Sequence, residues 1–201
     1  MEKVADVAYA IHNLFKHRWS PRAFSERRVE PATLRSLLEA ARWAASCANE
    51  QPWNFIVATK DEPQEFERML NCLVEGNMGW AKNAPVLMIS VARLNFEKSG
   101  GPIRTAYYDV GQSVAYMALE AVAEGLQVHQ MAGIVVDKVR EVYGIPEGFD
   151  PVTGIAVGYL GDPNTLPEKR RESELGPSKR KPSSSFVFEG RWAEPSKLFK
   201  E

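Results

Sequence analysis

Apolar residues recur along the chain with the three- and four-residue spacing of helices. From residue 31 to about residue 45, leucines and alanines fall on one stripe, which predicts a helix that faces a core. Pro31 suits the first position of this helix, and Asp61 and Asp109 are candidate N-caps for later ones. The same spacing predicts further helices at about residues 1–17, 63–73, 109–124 and 137–143.

Continuous apolar runs of strand length alternate with these helices. Such runs, bounded by proline, glycine or aspartate, are typical of buried strands. They occur at residues 54–59, 86–91 and 152–160, and a short one follows at 186–188. The late strand and the long crossings do not fit a simple doubly wound arrangement. We therefore predict an α+β fold with a central mixed or antiparallel sheet of four or five strands, surrounded by helices.

The connecting segments contain residues that break both patterns. Residues 76–80 interrupt a helical stretch with two glycines, and residues 93–107 read as a loop of variable shape. Residues 125–133 also read as a loop, rich in small residues. Residues 167–181 mix charged residues with proline and serine, which is typical of an exposed linker.

Length and composition narrow the class of protein. The 201 residues suit one domain, residues 1–201, and the hydrophobic fraction of 44% is ordinary for a globular chain. The net charge of -1 argues against a nucleic-acid binder. No apolar run approaches the roughly 20 residues of a membrane helix, and the first residues do not resemble a signal peptide, so we expect a cytoplasmic protein that does not bind membranes.

The residues that bind metals and dinucleotides are sparse. Two cysteines and three histidines, scattered along the chain, give no metal-binding spacing. The sequence contains no Gly-x-Gly-x-x-Gly, which disfavours a Rossmann site for a permanently bound dinucleotide.

The most unusual stretch lies between the helix at 31–45 and the strand at 54–59. It reads Ser46-Cys47-Ala48-Asn49-Glu50-Gln51-Pro52-Trp53. Small residues let the backbone approach a ligand closely, and the amide side chains offer donors and acceptors that suit the edge of a flat heterocycle. Pro52 is expected to hold Gln51 in an extended conformation. An ordinary loop whose polar groups satisfy its own backbone is the alternative, and the sequence leaves both open.

A second polar stretch lies upstream of the first long helix. Arg18 and Arg22 flank Trp19, Ser20 and Pro21. A guanidinium group forms bidentate, charge-assisted hydrogen bonds with phosphate, and a serine hydroxyl adds another donor. The segment suits a phosphate group, but the residues alone favour the alternative that Arg18 and Arg22 are solvated surface charges.

Three motifs, in this order along the chain, resemble the signature of the nitroreductase family of flavoproteins. They are Arg18-Trp19-Ser20-Pro21-Arg22-Ala23-Phe24, Arg42-Trp43-Ala44-Ala45-Ser46-x-x-Asn49-x-Gln51-Pro52-Trp53, and Arg180-Lys181-Pro182 with Phe186-Val187-Phe188-Glu189-Gly190-Arg191-Trp192. The resemblance implies bound FMN, NAD(P)H as co-substrate and a homodimer that exchanges its C-terminal segments. It also implies hydride transfer through flavin N5 to a nitroaromatic, quinone or similar small-molecule acceptor in a ping-pong cycle. In such a cycle the cofactor carries the chemistry, and no catalytic side chain is required.

The resemblance assigns roles to the first motif. Arg18 and Ser20 would hold the flavin phosphate and ribityl chain, and Arg22 would reach the pyrimidine end of the ring. Trp19 stands where other members often have Arg or His, so its own contact with the cofactor is open.

The resemblance places the other cofactor contacts in three later segments. Arg180 corresponds to a second phosphate-binding arginine, with Lys179 and Lys181 as alternatives. A backbone amide of Ala132 or Gly133 would face flavin N5. The 46–51 loop would approach from the other subunit. The cofactor-binding positions in these two loops are Ser46, Cys47, Ala48, Asn49, Gln51, Met131, Ala132 and Gly133.

Other functions and roles remain open from the sequence. The same fold serves reductive dehalogenation or flavin fragmentation, and a flavin-binding protein for storage or sensing is a further alternative. Structural roles are favoured for Cys47 over a reactive thiol and for His129 over acid–base catalysis, and Cys72 reads as an inert thiol. Candidate aromatic residues on the substrate side are Trp80, Phe96 and Tyr107.

Overall fold

The computed structural model describes residues 3–199, so the domain predicted over residues 1–201 has two residues at each end outside the described part. The helices are α1 (Asn13–His17), α2 (Pro31–Arg42), α3 (Pro63–Leu70), α4 (Glu75–Ala81), α5 (Ala106–Ala123), α6 (Val136–Tyr143) and α7 (Glu168–Leu175). The strands are β1 (Trp53–Thr59), β2 (Val86–Arg93), β3 (Gln127–Met131) and β4 (Phe149–Gly158). No helix in this range is both long and apolar enough to cross a bilayer.

The four strands form one antiparallel sheet in the order β1-β2-β4-β3. The central strands β2 and β4 are the longest strands, with eight and ten residues, and the last five residues of β4 are buried, as are the first seven of β2. Their register pairs Met88 with Ile155, and β1 pairs Val57 with Met88. The predicted α+β fold is confirmed, with an antiparallel sheet of four strands.

Two apolar cores cover the two faces of the sheet. Val86 and Met88 point into a core with α2 and α5, whereas Leu87 and Ile89 point into a core with α3 and α4. This alternation along β2 is the two-residue period of a strand, and it explains why every residue of β2 up to Ala92 is buried. The site must therefore lie at the edges or ends of the sheet.

The predicted helix over residues 1–17 is wrong for most of its length. Residues 3–12 are not helical, and only Asn13–His17 form a helical turn and a half. Val4, Ile11 and Phe15 are about half exposed, so the apolar spacing has no core to pack against. Short helices are marginal without such packing, and residues 3–12 instead run along the surface, with Ala5 N–H donating to the Lys16 carbonyl.

Three segments predicted as irregular are regular. The glycine-containing residues 76–80 lie within α4, because burial of Trp80 and Ala81 outweighs the weak helix propensity of glycine. Residues 127–131, predicted as loop, form the edge strand β3. The predicted exposed linker contains α7, whose Glu174 is buried.

The C-terminal segment does not add a strand to the sheet of its own chain. Residues 183–185 form a 3-10 turn, and Phe188 makes a single bridge with Pro195 in the same segment. Phe186 and Trp192 are exposed, the latter by 88%. The predicted strand at 186–188 is therefore wrong for the single chain.

Candidate functional site

The arginine segment, residues 18–22, runs beside the edge strand β3 and is held there by side chains. The Gln127 side chain accepts from Trp19 N–H at 3.3 Å and donates through Nε2 to the His17 carbonyl at 3.0 Å. His129 Nδ1 lies 2.7 Å from the Pro21 carbonyl oxygen. A carbonyl oxygen only accepts, so Nδ1 carries the proton.

Helix α7 holds the other end of the arginine segment. Glu174 Oε1 accepts from the backbone N–H groups of Arg22 and Ala23 at 2.7 and 2.9 Å. The side chain is 3% exposed, so this carboxylate is placed inside the protein to make these contacts. Lys3 Nζ donates to the Glu174 carbonyl and lies 5.0 Å from the centre of the Trp19 ring.

Two arginines from distant parts of the chain meet at one cavity. Burial lowers the pKa of Arg18, and the nearby positive charge of Arg180 lowers it further. Both residues line a cavity of about 250 Å³, whose other polar lining residues are Lys3, Lys16, Trp19, Ser178 and one acidic residue, Asp6. Arg18 also donates to Ser20 Oγ at 3.4 Å. Like charges held together in a partly buried cavity are the arrangement that a phosphate group stabilises, so these residues fit the phosphate end of a mononucleotide.

The sequence left three candidates for the second basic residue at the phosphate, namely Lys179, Arg180 and Lys181. They differ in whether they line the cavity. All three residues are exposed, but within the described residues only Arg180 lines the cavity. Trp19 lines it through its ring, which is half-buried beneath Lys3. The side chain of Trp19 thus shapes the cavity wall.

The 46–51 loop has an uncommon backbone. Ala48, Asn49 and Gln51 have φ values of 51°, 57° and 49°, in the left-handed region that non-glycine residues rarely adopt. The expectation that Pro52 keeps Gln51 extended is therefore wrong. The loop turns so tightly that Ser46 Oγ accepts from Gln51 N–H at 3.0 Å. Strained backbone of this kind persists where surrounding contacts hold it, and it is common at ligand sites.

The two interpretations of this loop both describe part of it. Ser46 and the Gln51 side chain satisfy the loop's own backbone, as an ordinary loop would, since Gln51 Nε2 donates to the Asn49 carbonyl. The side chains of Cys47 and Asn49 are exposed, and so is Ala48. The loop therefore presents small and polar groups outward from a rigid turn.

A buried aspartate and a partly buried arginine anchor the two ends of the loop. Asp109 is 2% exposed and accepts from Cys47 N–H at 3.1 Å and from Thr105 Oγ1 at 3.2 Å. It lies within the first turn of α5, so the prediction that it caps this helix is wrong. At the other end Arg93 donates to the carbonyl of Glu50 at 2.7 Å and to its carboxylate at 3.0 Å.

The Glu50 carboxylate also connects the loop to residues 94–105. It accepts from Glu97 N–H at 3.3 Å, and this contact, followed by the hydrogen bond from Arg93, lowers the pKa of Glu50. The loop is thus joined to the end of β2 and to the segment that follows it.

Residues 131–133 end the edge strand β3. The side chain of Met131 is buried in the core, so it can meet a ligand only through its backbone. The Gly133 carbonyl accepts from Val74 N–H and Asn77 Nδ2, and a side chain at Gly133 would collide with Asn77. Among residues 3–199, the amides of Ala132 and Gly133 have no acceptor, which leaves them free to donate to a ligand.

The remaining candidate residues have structural positions. Burial lowers the pKa of His129 to about 4, with a smaller effect of Arg22, so the ring is neutral near pH 7 and unsuited to acid–base catalysis. Cys72 is buried and its thiol pKa is raised by desolvation, whereas Cys47 is exposed. Trp80 packs on His129 in the core and is wrong as a substrate-side residue. Phe96 packs against the core as well, and Tyr107 is half exposed and donates to Asp150.

The predicted site residues form two groups at diagonally opposite corners of the sheet. β1 begins at Trp53, level with Asp150 of β4, whereas β3 begins at Gln127, opposite Gly158. The 46–51 loop and the arginine segment are thus separated by three strand spacings and eight residues of β4. These steps correspond to roughly 14 Å across and roughly 26 Å along the sheet. One chain does not bring the two groups together.

Several residues that hold the site were not recognised from the sequence. They are Glu50, Arg93, Gln127 and Glu174, with Asp109 assigned a different role. All are charged or amide residues that bond to backbone groups far along the chain, and such contacts leave no local pattern. The alternate polar positions Gln127 and His129, on either side of the apolar Val128, are the one signal that was available.

Comparison with known proteins identifies the family of the chain. The model of the nitroreductase family matches residues 15–77 and 62–159. A Streptomyces coelicolor protein, named for a proposed NADH dehydrogenase/NAD(P)H nitroreductase activity, is 36% identical over 157 residues, which cover 74% of this chain and 74% of that protein.

Solved structures share the fold. A structure described as an oxidoreductase containing FMN is 38% identical, covers 94% of this chain and 96% of its own, and superposes with a TM-score of 0.90. A nitroreductase family protein from Clostridium difficile is 24% identical over 89% of this chain and 96% of its own, with a TM-score of 0.68. With a family model that covers most of the chain and a full-length structural match, the chain belongs to the nitroreductase family.

Proposed function

We propose that this protein is an FMN-dependent oxidoreductase that takes hydride from NAD(P)H and delivers it to a quinone, nitroaromatic or similar small acceptor. The observation that carries the proposal is the pairing of Arg18 and Arg180 at one cavity, where burial and the charge of Arg180 lower the pKa of Arg18 and so disfavour its charged form. A bound phosphate monoester would offset this effect. Family membership and the FMN in a 38% identical relative support the same ligand.

The residues that would hold FMN fall into three sets. Arg18, Ser20 and Arg180 are suited to the phosphate. Arg22 would place a positive charge near the pyrimidine end of the ring, where negative charge develops on reduction. The free amides of Ala132 and Gly133 would donate to the ring edge.

The cofactor supplies the chemistry when bound, because a flavin both accepts and donates hydride. The protein supplies position and charge, which agrees with the neutral, buried state of His129. The left-handed turn at residues 48–51 would keep the opposite wall of the site small and rigid. Slim walls leave an open face that flat molecules of different kinds can occupy in turn, as a ping-pong exchange of NAD(P)H and acceptor requires.

The site we propose is completed by a second copy of the chain. The 46–51 loop and the arginine segment lie at opposite corners of the sheet, a separation that one FMN molecule does not bridge. In a symmetric dimer, the loop of one protomer can meet the arginine segment of the other, and two equal sites result. The exposed Phe186 and Trp192 of the C-terminal segment supply apolar surface for such an interface.

An absorption spectrum of the purified protein tests the function directly. We expect flavin bands that bleach on anaerobic addition of NADH or NADPH and return when a quinone is added. The control is the protein with added NAD+ in place of NADH, which should leave the bands unchanged. Flavin bands that persist with both reduced nucleotides would favour a storage or sensing protein, and a protein that binds no added FMN would refute the proposal.

A further inference from the structure

The backbone of residues 17–23 is bound on one side by buried side chains from outside the segment. Gln127 bonds residues 17 and 19, His129 bonds residue 21, and Glu174 bonds residues 22 and 23. Gln127, His129 and Glu174 are 7%, 8% and 3% exposed. We infer that these three side chains are positioning residues for the cofactor: they fix the backbone of residues 17–23 and thereby place Arg18, Ser20 and Arg22. This inference rests on the proposed function.

Strand β3 provides the first two contacts through its two-residue period. Gln127 and His129 stand two residues apart, so their side chains leave the same face of the strand. Their side chains form hydrogen bonds with backbone groups of residues 17, 19 and 21, which are also spaced two residues apart. The side chains of Arg18 and Ser20, at the intervening positions, are not used by these contacts. The arginine segment is thus aligned with the sheet while its functional side chains stay available.

Gln127 is the residue whose chemistry best matches this role. Its amide group both donates to the His17 carbonyl and accepts from Trp19 N–H, so it binds the residues immediately before and after Arg18. A glutamate would lose the donor, and an apolar residue of the same length would lose both bonds. Replacing it removes the two contacts that flank Arg18 without touching Arg18 itself.

Glu174 links the arginine segment to the part of the chain that leads to Arg180. It bonds the backbone of Arg22 and Ala23 from α7, and α7 leads within a few residues to Ser178 and Arg180. Arg18 and Arg180 line the same cavity, so this contact joins the two parts of the chain that supply them. Loss of the contact would remove one link between these two parts.

The test compares FMN with riboflavin, which lacks the phosphate. Gln127→Met removes both flanking hydrogen bonds, and Gln130→Met, at the exposed neighbouring position, is the matched control. We expect Gln127→Met to raise the Kd of FMN about tenfold, since two hydrogen bonds hold the segment, while the Kd of riboflavin changes little. Flavin fluorescence measured well below the unfolding temperature gives both constants.

Glu174 gives a second, graded pair of variants. Glu174→Gln keeps an acceptor oxygen, so its FMN affinity should fall between those of the wild type and Glu174→Leu. Equal FMN affinity in Gln127→Met and Gln130→Met, or an equal loss for FMN and riboflavin, would overturn the inference. If Glu174→Leu does not fold, the FMN and riboflavin affinities of Gln127→Met and its control Gln130→Met decide whether the inference holds.

Hydrogen exchange separates this inference from the proposed function. In the flavin-free full-length chain, Gln127→Met should speed exchange of the Trp19 amide, and Glu174→Gln should speed exchange of the Arg22 and Ala23 amides. Unchanged exchange would refute the placement of the segment by these side chains. If the two variants show this faster exchange but the wild-type protein binds no FMN, the proposed function would be refuted and, with it, the role of these side chains toward the cofactor.

Discussion

At the scale of single residues, the most informative feature is a repulsion that the protein tolerates. Arg18 is partly buried and lies close enough to Arg180 for the second charge to lower its pKa. Two guanidinium groups at one cavity destabilise each other, most strongly where water is partly excluded. An anion bound at this cavity would offset the repulsion, as the proposed phosphate site requires.

The first prediction concerns the contribution of each arginine. Arg18→Ala and Arg180→Ala should each weaken FMN binding by about 1.5–3 kcal/mol, the range for a hydrogen bond to a charged group. Titration of flavin fluorescence measures this. Arg28→Ala is the control, because it removes a guanidinium from an exposed ion pair with Asp61, 2.9 Å long, outside the cavity. FMN affinity that falls equally in all three variants would point to net charge instead of a phosphate site.

At the scale of elements, the sequence predicts those parts whose burial is repeated along the chain. α2, β1, β2 and β4 were predicted close to their observed positions because their apolar residues face a core at helix or strand period. β3 was missed because Gln127, His129 and Gln130 make it look polar. Gln127 and His129 are nevertheless buried, because their side chains form hydrogen bonds with the backbone of residues 17–21. No local pattern in the sequence reveals a contact with residues so far along the chain.

The same limit applies to the site. Arg18, Ser20 and Arg180 were found through motifs, whereas Glu174 was hidden in a charged stretch that reads as linker. A buried carboxylate differs from its exposed neighbours only in what it contacts. Backbone conformation was equally hidden, since the left-handed turn at Gln51 depends on Ser46 and on the anchors at either end of the loop.

The prediction at this scale concerns the pH dependence of stability around β3. Burial lowers the pKa of His129 from 6.5 to about 4 in the folded protein. Between these values the unfolded chain binds a proton that the folded chain does not, so stability falls as pH is lowered from about 6.5 to about 4. The contribution of this one group is on the order of 3 kcal/mol.

Urea unfolding at several pH values measures this slope. In His129→Phe, which keeps a ring against Trp80 but cannot titrate, the loss of stability toward acid should be smaller than in the wild type. The same substitution at the exposed His12 is the matched control. An identical acid slope in His129→Phe and the wild type would contradict the prediction.

At the scale of the whole molecule, the sheet holds the two groups of candidate site residues apart. β3 carries the arginine segment and residues 131–133 at one edge, and β1 begins at the 46–51 loop at the opposite edge. The antiparallel order β1-β2-β4-β3 places the two central strands between these edges, and apolar cores cover both faces of those strands. In the dimer that we propose, a second protomer rotated by half a turn would bring a loop to each arginine segment.

Mixing two defective chains tests this arrangement. Arg18→Glu reverses the charge of the phosphate cavity, and Cys47→Trp fills the outward face of the loop at an exposed position, so each homodimer should bind little FMN. In a dimer that contains one chain of each kind, one site carries both changes and the other carries neither. After random exchange of subunits, about a quarter of all sites should be intact and should bind FMN. If both parts of each site came from the same chain, mixing would restore nothing, because every chain would still carry one of the two changes.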